Sequence, residues 1–227
     1  MVFCKNYFQE LNKYFHSIFE SNDKKTIHQL GIVVARCWLW DIEGSWKLLM
    51  QFAKNSSPFK SGVVEVARVY LFDKNVNIST KSHKLFEYFF SDSSEEVNNE
   101  YEVYLMELKN KDFDKIHSIL ALYSKSTRLL NNSSPFLEAL LQNIRNSPLE
   151  CFKLFKNHYK IKKSQVEEND IYNDLTLKTT IAFYNEFRKN RKRYKNEISK
   201  CMKLFDDMMK KPYYRRMTKE VLVDIEK

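Results

Sequence analysis

Asn55-Ser56-Ser57-Pro58-Phe59 recurs 77 positions later as Asn132-Ser133-Ser134-Pro135-Phe136, and each copy stands before an apolar run with helical spacing. A second echo is offset from the first: Ser91-Asp92-Ser93-Ser94-Glu95-Glu96-Val97 follows Ser21-Asn22-Asp23-Lys24-Lys25-Thr26-Ile27 at a separation of 70. Two echoes of similar length, each spanning two repeats, point to stacked helical pairs with a period of roughly 35 to 40 residues. In such a stack each unit buries its apolar face on its neighbours, so the core is continuous but built from local pieces.

Glycine supply agrees with this. Three glycines and four prolines in 227 residues leave few of the tight turns that hairpin-rich sheets need, whereas polar turns suffice between helices. The predicted fold class is therefore all-α. With 43% hydrophobic and 15% aromatic residues, the chain has material for one domain over 1–227.

Phe3, Tyr7, Phe8, Leu11, Tyr14, Phe15, Ile18 and Phe19 follow the three-and-four spacing of an amphipathic helix. Ser21-Asn22-Asp23 is suited to cap the next helix, whose predicted buried face is Ile27, Leu30, Val33, Val34, Cys37, Trp38 and Leu39. Gly31 interrupts that face. A mid-helix glycine costs about 1 kcal/mol against alanine, which is explained if a neighbouring helix approaches closely there. A third helix is predicted over 42–52. In the repeated phrase Ser57 and Ser134 suit the N-cap, and Pro58 and Pro135 the first turn, where a missing N–H breaks no bond. Further helices are predicted over 79–90, 94–109, 112–124, 135–145, 148–160, 171–189, 194–210 and 213–226. Residues 160–170 read as an exposed loop, and 171–227 as basic C-terminal capping helices.

Chemistry is harder to find. Cys4, Cys37, Cys151 and Cys201 show no metal-ligand or redox spacing and read as small core residues of a reducing compartment. His16, His28, His83, His117 and His158 are scattered, so no metal site is expected. Glu95-Glu96 and Asp206-Asp207 pair carboxylates, as helix starts and solvated faces routinely do. Phosphate-loop, dinucleotide and nucleophile-elbow motifs are lacking, so the expectation is no catalytic residue, no cofactor and no enzyme. The first residues lack a signal-peptide layout and no apolar run reaches the length of a span. A cytoplasmic location without membrane contact is expected.

Charge is unevenly spread. Residues 1–150 hold 18 Lys/Arg and 18 Asp/Glu, while 151–227 hold 20 and 11, so the whole excess of +9 lies in the last third. Its densest part is Arg188, Lys189, Arg191, Lys192, Arg193 and Lys195 around Tyr194, at a predicted helix-to-helix turn. Such a cluster is suited to phosphates, with the tyrosine available to stack on a base; a solvated basic turn, or coding bias toward lysine, is the plain alternative. Lys162-Lys163, Lys210-Lys211 and Arg215-Arg216 extend this surface if they share its edge. Trp38, Trp40 and Trp46 ordinarily serve packing, and an exposed one points to a partner.

Three stretches carry a family likeness. Asp23-Lys24-Lys25-Thr26-Ile27-His28-Gln29-Leu30-Gly31 looks like a repeat opening; Ser133-Ser134-Pro135-Phe136-Leu137-Glu138-Ala139-Leu140-Leu141, with Pro148-Leu149-Glu150-Cys151-Phe152-Lys153-Leu154-Phe155, like a late repeat pair. Tyr184-Asn185-Glu186-Phe187, Cys201-Met202-Lys203-Leu204-Phe205-Asp206-Asp207-Met208-Met209 and Tyr213-Tyr214-Arg215-Arg216 look like a closing segment. Together they resemble the C-terminal HEAT-like region of large bacterial STAND-type NTPases, signal-transducing proteins of antiphage defence. The resemblance implies an α-solenoid of about six antiparallel helix pairs, no NTPase motor in this chain, and no catalytic residue to transfer. It also implies a non-enzymatic scaffold or sensor with a protein partner, such as an NTPase or effector subunit. The alternative is a basic HEAT-like domain that binds DNA or RNA through residues 188–195, of which a DNA-repair glycosylase is a special case.

Overall fold

A computed structural model describes residues 13–108, 113–127, 133–165 and 174–210. The described residues form eleven helices and no strand: α1 over 13–20, α2 Lys24–Leu39, α3 Ser45–Ala53, α4 Ser57–Tyr70, α5 Val76–Phe89, α6 Glu95–Glu107, α7 Phe113–Ser124, α8 Ser134–Asn143, α9 Pro148–Gln165, α10 Asp174–Arg188 and α11 Lys195–Met209. The all-α expectation holds. Among the described residues no helix is long and apolar enough to cross a membrane. The predicted helix over 213–226, together with Cys4, Lys211, Arg215 and Arg216, lies outside the described residues.

Local chemistry sets the helix starts. The Asp23 carboxylate accepts from the Thr26 N–H at 2.9 Å, and the Asn75 side chain accepts from the N–H groups of Asn77 and Ile78, each filling donors that the first turn leaves open. In the repeated phrase the cap moves back by one residue. Ser56, with extended backbone, accepts from the Phe59 N–H at 3.3 Å, so Ser57 is already helical and Pro58 second in the helix. At the other copy Ser133 holds the cap position but makes no side-chain cap bond. Predicted helix 148–160 continues to Gln165, so residues 160–165 of the predicted loop over 160–170 are helical: Tyr159 and Lys162 are buried, and that burial extends α9; residues 166–170 lie outside the described residues.

Two compact units, Met1–Tyr104 and Leu105–Lys227, stand where the repeat pattern predicts a single domain; the boundary falls inside α6. In the first, α2 packs on α4 and α3, and α4 on α5. The α2–α4 crossing is built on two glycines. A Cβ added at Gly31 would fall on the Phe59 carbonyl, 3.1 Å from its carbon, and one at Gly62 would fall on the His28 carbonyl, 3.1 Å from that carbon. His28 Nε2 and a Glu65 carboxylate oxygen, 2.8 Å apart, bridge the same two helices. Around the crossing, Phe19 stacks on Phe52 and Phe52 meets Phe59 edge-on. Farther along, Phe86 is enclosed by Tyr101 and Tyr104, and the Tyr101 hydroxyl donates to the Phe86 carbonyl at 2.6 Å. Val33 is exposed and Trp38 half-buried, although the pattern places both on the buried face of α2.

Ion pairs tie the starts of α2, α4 and α6. Lys24 reaches Glu96 at 2.9 Å and Lys60 reaches Asp92 at 2.6 Å, so the echoing segments 21–27 and 91–97 touch. Asp92 is strongly perturbed. Burial raises it, but hydrogen bonds from Lys60 and from the Ser94 hydroxyl and N–H outweigh that and lower it to about 2. A carboxyl near 3.8 when unfolded and about 2 when folded stabilises fully above pH 3.8 and loses this contribution as pH falls through 2. Asp92→Asn is therefore expected to flatten the acid limb of urea unfolding by on the order of 2 kcal/mol between neutral pH and pH 2. An unchanged acid limb would contradict the assignment.

In the second unit α9 packs on α7 and α8, while α10 packs on α8, α9 and α11. Its core is aromatic: Phe152 lies 5.1 Å from Phe183 and 5.2 Å from Phe187, and Phe155 lies 5.5 Å from Phe183. Cys151 and Cys201 are buried there, and burial pushes both thiols up to about 12. They are inert packing groups at neutral pH.

Candidate binding surfaces

The turn between α2 and α3 is shaped by Asp41 at φ 59° and Gly44 at φ 78°, left-handed conformations that Asp and Gly adopt more readily than bulkier residues. This turn brings Trp38, from the last turn of α2, to 4.9 Å from Trp46 at the start of α3. Tyr88 of α5 meets Trp46 edge-on at 6.3 Å. Trp46 is 41% exposed and Tyr88 54%. Lys81 Nζ stands 5.5 Å above the Trp38 ring, donates to the Trp38 carbonyl and pairs with Asp41. The result is an exposed aromatic ledge with an ion pair at its rim. Trp40 is spent otherwise, edge-on against Tyr70 and half-buried.

The predicted basic turn occupies residues 189–194, between the end of α10 and the start of α11. Arg188, Lys189, Arg191, Lys192, Arg193 and Lys195 are all exposed. Lys189 pairs with Glu186 at 2.6 Å. Among the described residues Arg191, Lys192 and Lys195 have no carboxylate partner. Tyr194 departs from its expected role as a free stacking platform. Its half-buried ring lies 5.0 Å from Phe187 and beneath the Arg193 guanidinium at 5.1 Å, so it closes the α10–α11 corner.

The expected extensions fare unevenly. Lys162 is buried, 5% exposed, and donates to the Ser133 hydroxyl at 3.1 Å; it is no surface cation. Lys163 and Lys210 turn to Asp207. Three other lysines, unmarked by any run in the sequence, come together instead. Lys156 of α9 with Lys200, Lys203 and Lys210 lines an open groove of about 500 Å³ that also contains Asp206 and Asp207. Lys200, Lys203, Asp207 and Lys210 recur at helical spacing, a signal that could have found the α11 side of the groove; Lys156 is added by the packing of α9.

One member of each carboxylate pair, Glu96 and Asp207, is a charge partner. Lys24 holds Glu96 below the usual range, first through its hydrogen bond. A hydrogen bond from Lys163 does the same for Asp207 against the opposing effect of burial, and the Tyr159 hydroxyl donates to the same oxygen at 3.2 Å. Asp41, next to Trp40, is held by Lys81 and Asn77. No family model, curated protein or solved structure matches the chain.

Proposed function

We propose that this chain is a non-enzymatic binding module, a HEAT-like stack of helical pairs that engages a protein partner, an NTPase or effector subunit of a bacterial antiphage defence system. The observation that carries the binding role is the ledge of Trp38, Trp46 and Tyr88. Aromatic rings held rigidly by neighbours, yet open to solvent, lose little entropy on docking and bury much apolar area, which is why Trp and Tyr dominate interface energetics. The stacking of pairs is supported by the touching echo segments at the starts of α2 and α6. The defence context rests on the family likeness alone.

Trp46→Ala/Tyr88→Ala is expected to weaken capture of the native partner at least tenfold, since anchor truncations cost about 2 kcal/mol or more. Both side chains lie at the surface, so the variant's melting temperature should stay near wild type. Undiminished capture by a folded variant would refute the ledge as the docking site.

A second reading is favoured by a separate observation, the exposed and largely unpaired cations of residues 188–195. It is a phosphate-backbone contact with DNA or RNA, continued by the lysine groove of α9 and α11. Added salt would weaken such binding steeply through lost counterion release. The glycosylase form of this reading asks for a catalytic carboxylate beside exposed tryptophans, and Asp41 stands there as an ion-pair partner.

A further inference from the structure

The second unit contains a buried electrostatic mismatch. Ser133, at the cap position of α8, offers no side-chain bond to its own helix; its hydroxyl accepts from Lys162 Nζ at 3.1 Å instead. Lys162 is thus a buried cation at the positive end of a helix of 10 residues. Burial and the helix dipole both disfavour a cation there, and among the described residues it has no carboxylate partner. One turn earlier on α9, His158 is 2% exposed, and both ring nitrogens are enclosed without a hydrogen bond. Its ring lies 5.3 Å from Phe136, in the first turn of α8, so His158 faces the same helix start. Burial, then the charge of Lys162, lowers His158 to about 3, leaving a neutral ring with one N–H to donate.

Donors outnumber acceptors at this point. Lys162 keeps two N–H groups beyond its bond to Ser133, and His158 adds one, against the one unprotonated nitrogen of His158 and a hydroxyl already in use. Buried polar groups left this way call for a partner. The partner with the right sign and acceptor count is an oxyanion, for which a helix start is also the natural seat. We propose that Lys162, His158 and the first turn of α8 bind a compact oxyanion group, a phosphate or a carboxylate. Lys162 lies in the last turn of α9, and the next residues, Lys163 and Ser164, are exposed. This proposal is independent of the aromatic ledge and of the basic turn.

The test is thermal unfolding of the whole chain in inorganic phosphate, acetate or chloride at matched ionic strength. Phosphate at ten times its Kd is expected to raise the wild-type Tm by about 3 °C or more over chloride; a larger rise in acetate assigns a carboxylate instead. Lys162→Met should lose the rise while melting in chloride at or above wild type, because a buried unpaired charge has gone. His158→Phe, which keeps a ring in place, should weaken the response severalfold. Lys200→Gln/Lys203→Gln should keep it, which separates the buried site from the lysine groove. No rise in either oxyanion, an equal rise in Lys162→Met, or loss of the rise in the groove variant overturns the proposal.

Discussion

Gly31→Ala is expected to destabilise the first unit by about 3 kcal/mol or more, although alanine favours a helix by about 1 kcal/mol over glycine. The preference is overridden by where the new methyl group would go. It would land on the Phe59 carbonyl, part of the α4 backbone, with no flexible side-chain end to move aside. Relief requires α2 and α4 to part, which opens voids beside Phe52, Phe59 and Val63, all of them buried. Gly62→Ala meets the His28 carbonyl in the same way and should cost about as much. Parting the helices once accommodates both methyl groups, so the double variant should lose clearly less than the sum of the singles. Urea unfolding followed by circular dichroism measures all three. Single variants as stable as wild type would contradict the crossing.

Arg191→Glu/Arg193→Glu carries the second large effect, on affinity. For a labelled single strand at low salt, removing two phosphate contacts and adding two repulsive charges should cost roughly a hundredfold in Kd. The slope of log K against log salt should become shallower by about two contacts' worth. Arg191 is exposed, so its reversal should leave the fold alone. Arg193 lies over the Tyr194 ring, and Arg193→Gln retains the long aliphatic stem for comparison. Fluorescence anisotropy across a salt series reads both quantities. Equal affinity and slope in wild type and variant would remove the turn from any nucleic-acid role.

Helix order was legible because its signals are local. Apolar spacing, Asp23 as a cap and proline early in α4 and α8 each act within one or two turns. Gly31 announced a close neighbour, but its reciprocal partner Gly62 did not; a crossing point depends on which residues two distant segments bring to the same place. Adjacent serines made the caps ambiguous by one residue, and only the backbone of Ser56 decided between them. The end of α9 was misplaced because Lys160, Lys162 and Lys163 look like a solvated run, while the fold turns Lys162 inward. Among the candidate surfaces, the basic turn was visible as a contiguous run. The ledge was half visible, since Trp38 and Trp46 are neighbours in sequence, but Tyr88 arrives from α5. The lysine groove was dispersed over α9 and α11.

Recognition by a surface, with the aromatic ledge as its anchor, is tested most directly by one capture experiment. Nuclease-treated native extract is passed over immobilised wild type, Trp46→Ala/Tyr88→Ala and Arg191→Glu/Arg193→Glu, and bound proteins are quantified by mass spectrometry. The expected result is one protein held in equal amount by wild type and the turn variant and lost from the ledge variant. Equal retention by all three, or loss confined to the turn variant, would contradict it.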